Sequence, residues 1–225
     1  RWRLRRQSKN KKPVWRNLMM KTYKVLSLLL SYPTDELQKF LPHVEREMRE
    51  ESLLQEDTIS GLVQFCKRHG PLDLTHWQEE YVQLFDYSRS VSLHIFEHIK
   101  GESKDRGQAM VNLMEFYKEN GMYLTTKELP DYIPAFLEFL STLPPAKAAE
   151  LLGETVHVMD RINEALIESE NIYNVIFQAI ISLSAKKPDK TITREMIKNE
   201  KPLDLDAEYE EEPVTFGGEA CQTDR

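Results

Sequence analysis

Cysteine is scarce: Cys66 and Cys221 are the two in 225 residues, and neither has a CxxC partner. That argues against a disulfide framework and against a cysteine-based metal site, and it makes a reducing cytoplasm the expected location. No apolar run approaches the roughly 20 residues of a membrane-spanning helix; residues 25–30 are too few and Ser27 interrupts them. No apolar segment with a small-residue cleavage site follows the basic start, so a signal peptide is not expected. Glycine-rich phosphate loops, RNA-binding aromatic motifs and a defensible Ser/His/Asp arrangement are missing. Period-2 alternation is missing too, and no Asn-Gly or Asp-Gly pair joins two alternating runs, which removes β-hairpins.

Acid is absent from the first 24 residues, which carry ten lysines and arginines. Residues 1–18 alone hold eight basic residues, so the remainder carries −15 against −7 for the whole chain. Met19 and Met20 stand just before a good helix. Residues 1–18 therefore read as an upstream or disordered basic extension, with Met19 or Met20 as the expected start. A domain so acidic repels phosphate, so nucleic acid is not an expected partner. Hydrophobic residues make up 40% and charged residues 30%, enough for one core, while a mean hydropathy of −0.54 implies that part of the chain stays unpacked.

What is present is helical periodicity. Tyr23, Leu26, Leu29 and Leu30 form one stripe, ended by Pro33. Thr34 or Asp35 can cap a second helix running through Met48, and Asp57 a third that closes at Gly70-Pro71. Leu74, Trp77, Tyr81, Leu84 and Phe85 mark a fourth. Further helices are predicted over 93–99, 105–119 (stopped by Asn120-Gly121), 132–143, 146–168 and 172–185. The expected fold is all-α: a single helical bundle of about eight to ten helices over residues 19–185. Residues 186–225 lose the apolar stripe and end in an acidic run, 204–213, so they read as a disordered acidic tail, dispensable for folding.

Three constellations carry polar chemistry. His94, Glu97 and His98 fit H-x-x-E-H, the pattern of a zinc-dependent hydrolase, provided the two histidines share a helix face. Gly101 follows closely, which shortens any such helix; polar contacts inside the bundle are the simpler role for Glu97 and His98. Arg89, Glu97, Glu102, Asp105 and Arg106 form a mixed-sign cluster that reads first as an intrachain salt-bridge network. In Glu128-Leu-Pro-Asp131-Tyr132-Ile-Pro134 the prolines stiffen the start of a helix, and Asp131 is well placed as its N-cap.

The densest run is residues 81–113. Its pattern, Tyr81-x-x-Leu84-Phe85-Asp86, Arg89, Ser92-Leu93, Phe96-Glu97-His98, Gly101-Glu102-Ser103 and Asp105-Arg-Gly-Gln-Ala-Met110, resembles the nitrate reductase molybdenum-cofactor assembly chaperones of the NarJ or delta-subunit type, within the TorD/DmsD superfamily. Residues 128–134 resemble the E-x-P-D-H motif of that superfamily, with Tyr132 in place of the usual histidine. The resemblance implies a cytoplasmic, non-enzymatic chaperone without a cofactor of its own. It implies a client, the N-terminal peptide of the nitrate reductase catalytic (alpha) subunit, held open until the molybdenum cofactor is inserted and membrane docking can follow. It extends to the alpha–beta complex and cofactor-biosynthesis proteins as wider partners, with no nucleic acid and no stable membrane insertion. The partner-binding residues it implies are Tyr81, Phe85, Arg89, Phe96, Glu97, His98, Glu102, Asp105, Arg106 and Asp131. His94 falls at a variable position of the motif and is expected to be dispensable. The rivals are the His94/Glu97/His98 hydrolase and a regulatory helical scaffold with another client.

Overall fold

The computed structural model describes residues 20–99, 103–124 and 129–198. The basic extension 1–18, Glu102, Glu128 and the acidic run 204–213 lie outside the described residues.

The described chain folds into eleven α-helices: α1 Lys21–Leu29, α2 Asp35–Phe40, α3 Val44–Glu51, α4 Glu56–His69, α5 Leu74–Phe85, α6 Ser103–Glu119, α7 Ile133–Leu140, α8 Pro145–Glu154, α9 Val156–Glu168, α10 Asn174–Ser182 and α11 Lys190–Lys198. Three 3-10 turns occur between helices, one at Leu41–His43 between α2 and α3 and two, at Arg89–Val91 and Ile95–Glu97, between α5 and α6. No strand occurs among the described residues; an isolated antiparallel bridge joins His94 to Tyr132. The all-helical expectation is met.

The core has α10 at its centre, with Ile176, Phe177, Ala179 and Ile180 fully buried against α9, α4 and α1. Helix α1 packs on α7, whose sequence IPAFLEFL is apolar on nearly every side, as a helix enclosed by neighbours must be. An aromatic cluster locks α4 and α5 to the start of α10. Phe65, Trp77 and Tyr173 meet there, and the Trp77 indole N–H donates to the Tyr173 hydroxyl at 2.9 Å.

Local sequence chemistry sets the boundaries. The Thr34 hydroxyl accepts the Leu37 N–H and starts α2; the Asp73 carboxylate accepts the His76 N–H and starts α5. Gly121, at φ +75°, ends α6 in the left-handed conformation that favours glycine. Asp57 is not the cap of α4: the helix begins at Glu56 after Gln55, and both acids sit in its positive first turn.

Two expectations are corrected. The helix predicted over 146–168 breaks at Thr155, whose hydroxyl donates to the Leu152 carbonyl and competes with the backbone ladder. The expected start of the disordered tail at 186 is also wrong for residues 190–198, which form α11 on α9. There the Thr193 hydroxyl and Lys190 ammonium both bind the buried Asp160 carboxylate, at 2.8 and 2.7 Å. The apolar stripe is short, so polar anchoring replaces it.

Candidate functional site

Within the densest run, residues 86–99 between α5 and α6 form a loop, and the helix predicted over 93–99 is reduced to a single 3-10 turn at Ile95–Glu97. Between α5 and α6 the chain makes two 3-10 turns and is tied down at several points. The Asp131 carboxylate, fully buried, accepts the Phe96 backbone N–H at 3.0 Å and faces His94 Nδ1 at 3.3 Å. The Asp131 carbonyl accepts the Ile95 N–H, and the Leu93 carbonyl accepts the Ile133 N–H. Asp131 therefore does not cap α7, where Tyr132 is the flanking residue and makes no side-chain cap bond. It clamps the loop onto the start of α7.

His98 is buried on the other side of the loop. Its Nε2–H donates to the Ser92 carbonyl at 2.7 Å, and its Nδ1 accepts from the Arg161 guanidinium of α9. Arg161, itself buried, also reaches the Ser90 carbonyl. His94 and His98 thus turn to different partners, and the helix that an H-x-x-E-H site needs is replaced by the 3-10 turn at Ile95–Glu97. Among the described residues no group of three or more His, Cys, Asp or Glu is placed to hold a metal.

The loop and its clamp border a hollow of about 210 Å³, lined by Tyr32, Tyr81, Phe85, Asp86, Leu93, His94 and Tyr132. Tyr81 and Phe85 form its buried floor. The Tyr81 hydroxyl donates to the Leu30 carbonyl at 2.9 Å and lies 3.1 Å from the Tyr132 hydroxyl. Burial pushes the Tyr81 phenol well above its ordinary value, so it stays protonated.

Tyr32 is shared with a second, more apolar hollow of about 390 Å³ between α1, α2 and the side of α7. Leu28, Tyr32, Leu37 and Phe40 supply its walls, and Glu36, Glu138 and Lys24 its charge. Leu28 and Tyr32 are 37% and 47% exposed, unusual for large apolar side chains, whereas Leu26, Leu29 and Leu30 on the same helix turn are fully buried. Burial raises the Glu138 carboxyl above its usual value, and Lys24 partly opposes this. The two hollows meet at Tyr32, which lines both, and their combined lining, the trough, includes the carboxylates Glu36, Glu138 and Asp86. A third hollow of about 410 Å³ lies on the other face of α5, beside Arg68, His69, Glu80 and Leu84.

Of the ten residues singled out by sequence, the structure brings Tyr81 and Phe85 to the trough, while Asp131 is buried beneath the loop that borders it. Phe96 sits half-buried behind it, held through its backbone. Glu97 and Arg106 pair with each other at 3.4 Å, and Arg89 and Asp105 are exposed. His98 belongs to the Arg161 tie. Glu102 lies outside the described residues. Sequence reasoning missed Leu28, Tyr32, Phe40, Glu138 and the wall position of His94. The available signal was Leu28, a leucine that falls off the buried stripe of α1.

A family model described as the nitrate reductase delta subunit matches residues 31–173. The nitrate reductase molybdenum cofactor assembly chaperone NarJ of Escherichia coli K12 is 34% identical over 196 residues, covering 85% of this chain and 83% of that protein. The probable nitrate reductase molybdenum cofactor assembly chaperone NarW of the same strain is 33% identical over 201 residues, covering 88% and 84%. A Bacillus subtilis protein named as a probable NarJ chaperone is 26% identical over 161 residues, covering 72% and 86%.

Proposed function

Since the chain belongs to the nitrate reductase delta subunit family, we propose that it is the molybdenum-cofactor assembly chaperone of a nitrate reductase and holds the N-terminal segment of the catalytic subunit as a helix in the trough. It acts on a polypeptide and is not an enzyme. The catalytic subunit is its client, kept open until the cofactor is in place.

The observation that carries the reading is the trough itself. Leu28, Tyr32, Leu37 and Phe40 offer an apolar surface to a partner's apolar stripe, while Glu36 and Glu138 flank it with charge that suits basic residues on the partner's other positions. An amphipathic segment meets both requirements. Release follows when the client folds around its cofactor and the free segment leaves the equilibrium. No helix among the described residues is long and apolar enough to cross a membrane, and we place the chaperone in the cytoplasm, before docking of the reductase. The alpha–beta complex and cofactor-biosynthesis proteins are its wider partners in this scheme.

A maturation assay tests the reading. In cells whose own chaperone of this type has been removed, the chain carrying Leu28→Glu and Phe40→Glu should accumulate normally. The reductase should then be low in molybdenum and in nitrate-reducing activity. Full maturation by a folded double variant would remove the trough from the mechanism.

A further inference from the structure

The smaller hollow has the make-up of a receptor for a cation. Tyr32 and Tyr81 stand at 88° with ring centroids 5.6 Å apart, and Tyr81 and Phe85 at 57° and 4.9 Å. Rings set at steep angles form adjacent walls of a box, whereas parallel rings would leave a slot for a flat group. Tyr132 closes another side, its hydroxyl 3.1 Å from that of Tyr81.

Asp86 is the one carboxylate among the lining residues, and the one basic group beside it, His94, is turned toward the buried Asp131 carboxylate at 3.3 Å. Asp86 lines the hollow and is also the residue that ends α5, so its carboxylate stands at the negative end of a twelve-residue helix. Among the described residues that line the hollow none is a lysine or arginine, whereas the adjoining larger hollow includes Lys24. Aromatic faces attract an ammonium or guanidinium group lying over them, and more strongly where water is displaced. Tyr81 and Phe85, 3% and 5% exposed, give such a desolvated floor. Tyr132 also stands where the resembled motif has histidine. A tyrosine there adds an electron-rich ring to the walls.

We propose that this box receives one arginine or lysine side chain of the client segment, held by cation–π contact with Tyr32, Tyr81 and Tyr132 and by the charge of Asp86. The inference rests on the chaperone reading above and gives it a direction. The apolar stripe of the client lies in the larger hollow, and one cation, inserted past Tyr32, fixes register and polarity. A hollow of about 210 Å³ accommodates a side-chain head, not a helix.

The test is a double-mutant cycle across the interface. A synthetic peptide of the catalytic subunit's N-terminus is titrated calorimetrically into the full chain. In a peptide series each arginine is replaced by citrulline, which keeps the shape and loses the charge, and each lysine by norleucine. The series is repeated with Asp86→Asn and with Tyr132→Leu. One replacement should weaken binding to the unmodified chain about tenfold, and the same replacement should weaken binding to either variant by less than about threefold. Tyr132→Leu is accepted only if its helical circular dichroism is unchanged; otherwise the exposed Asp86→Asn carries the cycle alone. If no replacement matters, or if every loss is the same on the variants, the box is overturned while the chaperone reading stands. If the unmodified peptide fails to bind the unmodified chain, both are overturned.

Discussion

Asp131 has no surface of its own, yet its carboxylate oxygens hold the loop that borders the trough. It accepts from the Phe96 N–H and faces His94 Nδ1, both within 3.3 Å. Truncation to alanine leaves a buried backbone donor unpaired, so Asp131→Ala should cost roughly 2–4 kcal/mol in urea unfolding. Asp131→Asn, which keeps one acceptor, should cost less. A loss below about 0.5 kcal/mol for the alanine variant would mean that the clamp is not what holds the loop. His69 provides a second test at this scale. It is 1% exposed among Phe65, Trp77 and Tyr173, with Nδ1 at 2.9 Å from the Phe65 carbonyl, and burial holds its pKa below the usual 6.5. In the window below 6.5, down to the folded pKa, the unfolded chain binds a proton that the folded chain does not. Stability therefore falls as pH drops through that window and is fully present above it. His69→Phe should flatten that part of the stability–pH curve, whatever it does to the absolute value. An unchanged slope between pH 7 and 5 would contradict the assignment.

At the scale of elements, the helices were legible where an apolar stripe met a cap or a stop. Thr34, Pro33 and Gly121 marked boundaries that the structure keeps. Thr155 gave no warning because threonine breaks a helix only when its hydroxyl takes a backbone carbonyl, which depends on the packing around it. Residues 86–99 were legible as part of a dense run but not as a loop, since their ties run to Asp131 and Arg161, 35 and 63 residues away from Phe96 and His98. Of the trough, Tyr81 and Phe85 were found through the motif. Leu28, Tyr32 and Glu138 were missed because the first two, at and just past the end of α1, meet the third only through the packing of α1 on α7. Helix α11 was missed because its attachment is polar: Lys190 bridges Asp160 and Glu164, and Thr193 is buried against Asp160. Ending the chain at Lys187 should therefore lower the thermal midpoint by several degrees, as a loss of about 1–2 kcal/mol does in a domain of this size. An unchanged midpoint would show that α11 contributes nothing to the fold.

The whole molecule is an acidic helical body with an apolar trough whose edges carry Glu36, Glu138 and Asp86. Attraction between exposed charges is screened within about 10 Å at 0.1 M salt, while apolar contact is not. Client binding should accordingly have a salt-sensitive part, seen mainly in association, and a salt-resistant part that carries most of the affinity. Calorimetric titration of the catalytic subunit's N-terminal peptide, at low salt and at about 0.5 M salt, separates the two. Leu28→Glu alongside tests the site, because it places a charge in the apolar floor without touching the core stripe of α1. The account predicts severalfold weaker but persistent binding at high salt, and loss of that persistent binding in Leu28→Glu. Undiminished binding by the folded Leu28→Glu chain at high salt would contradict it.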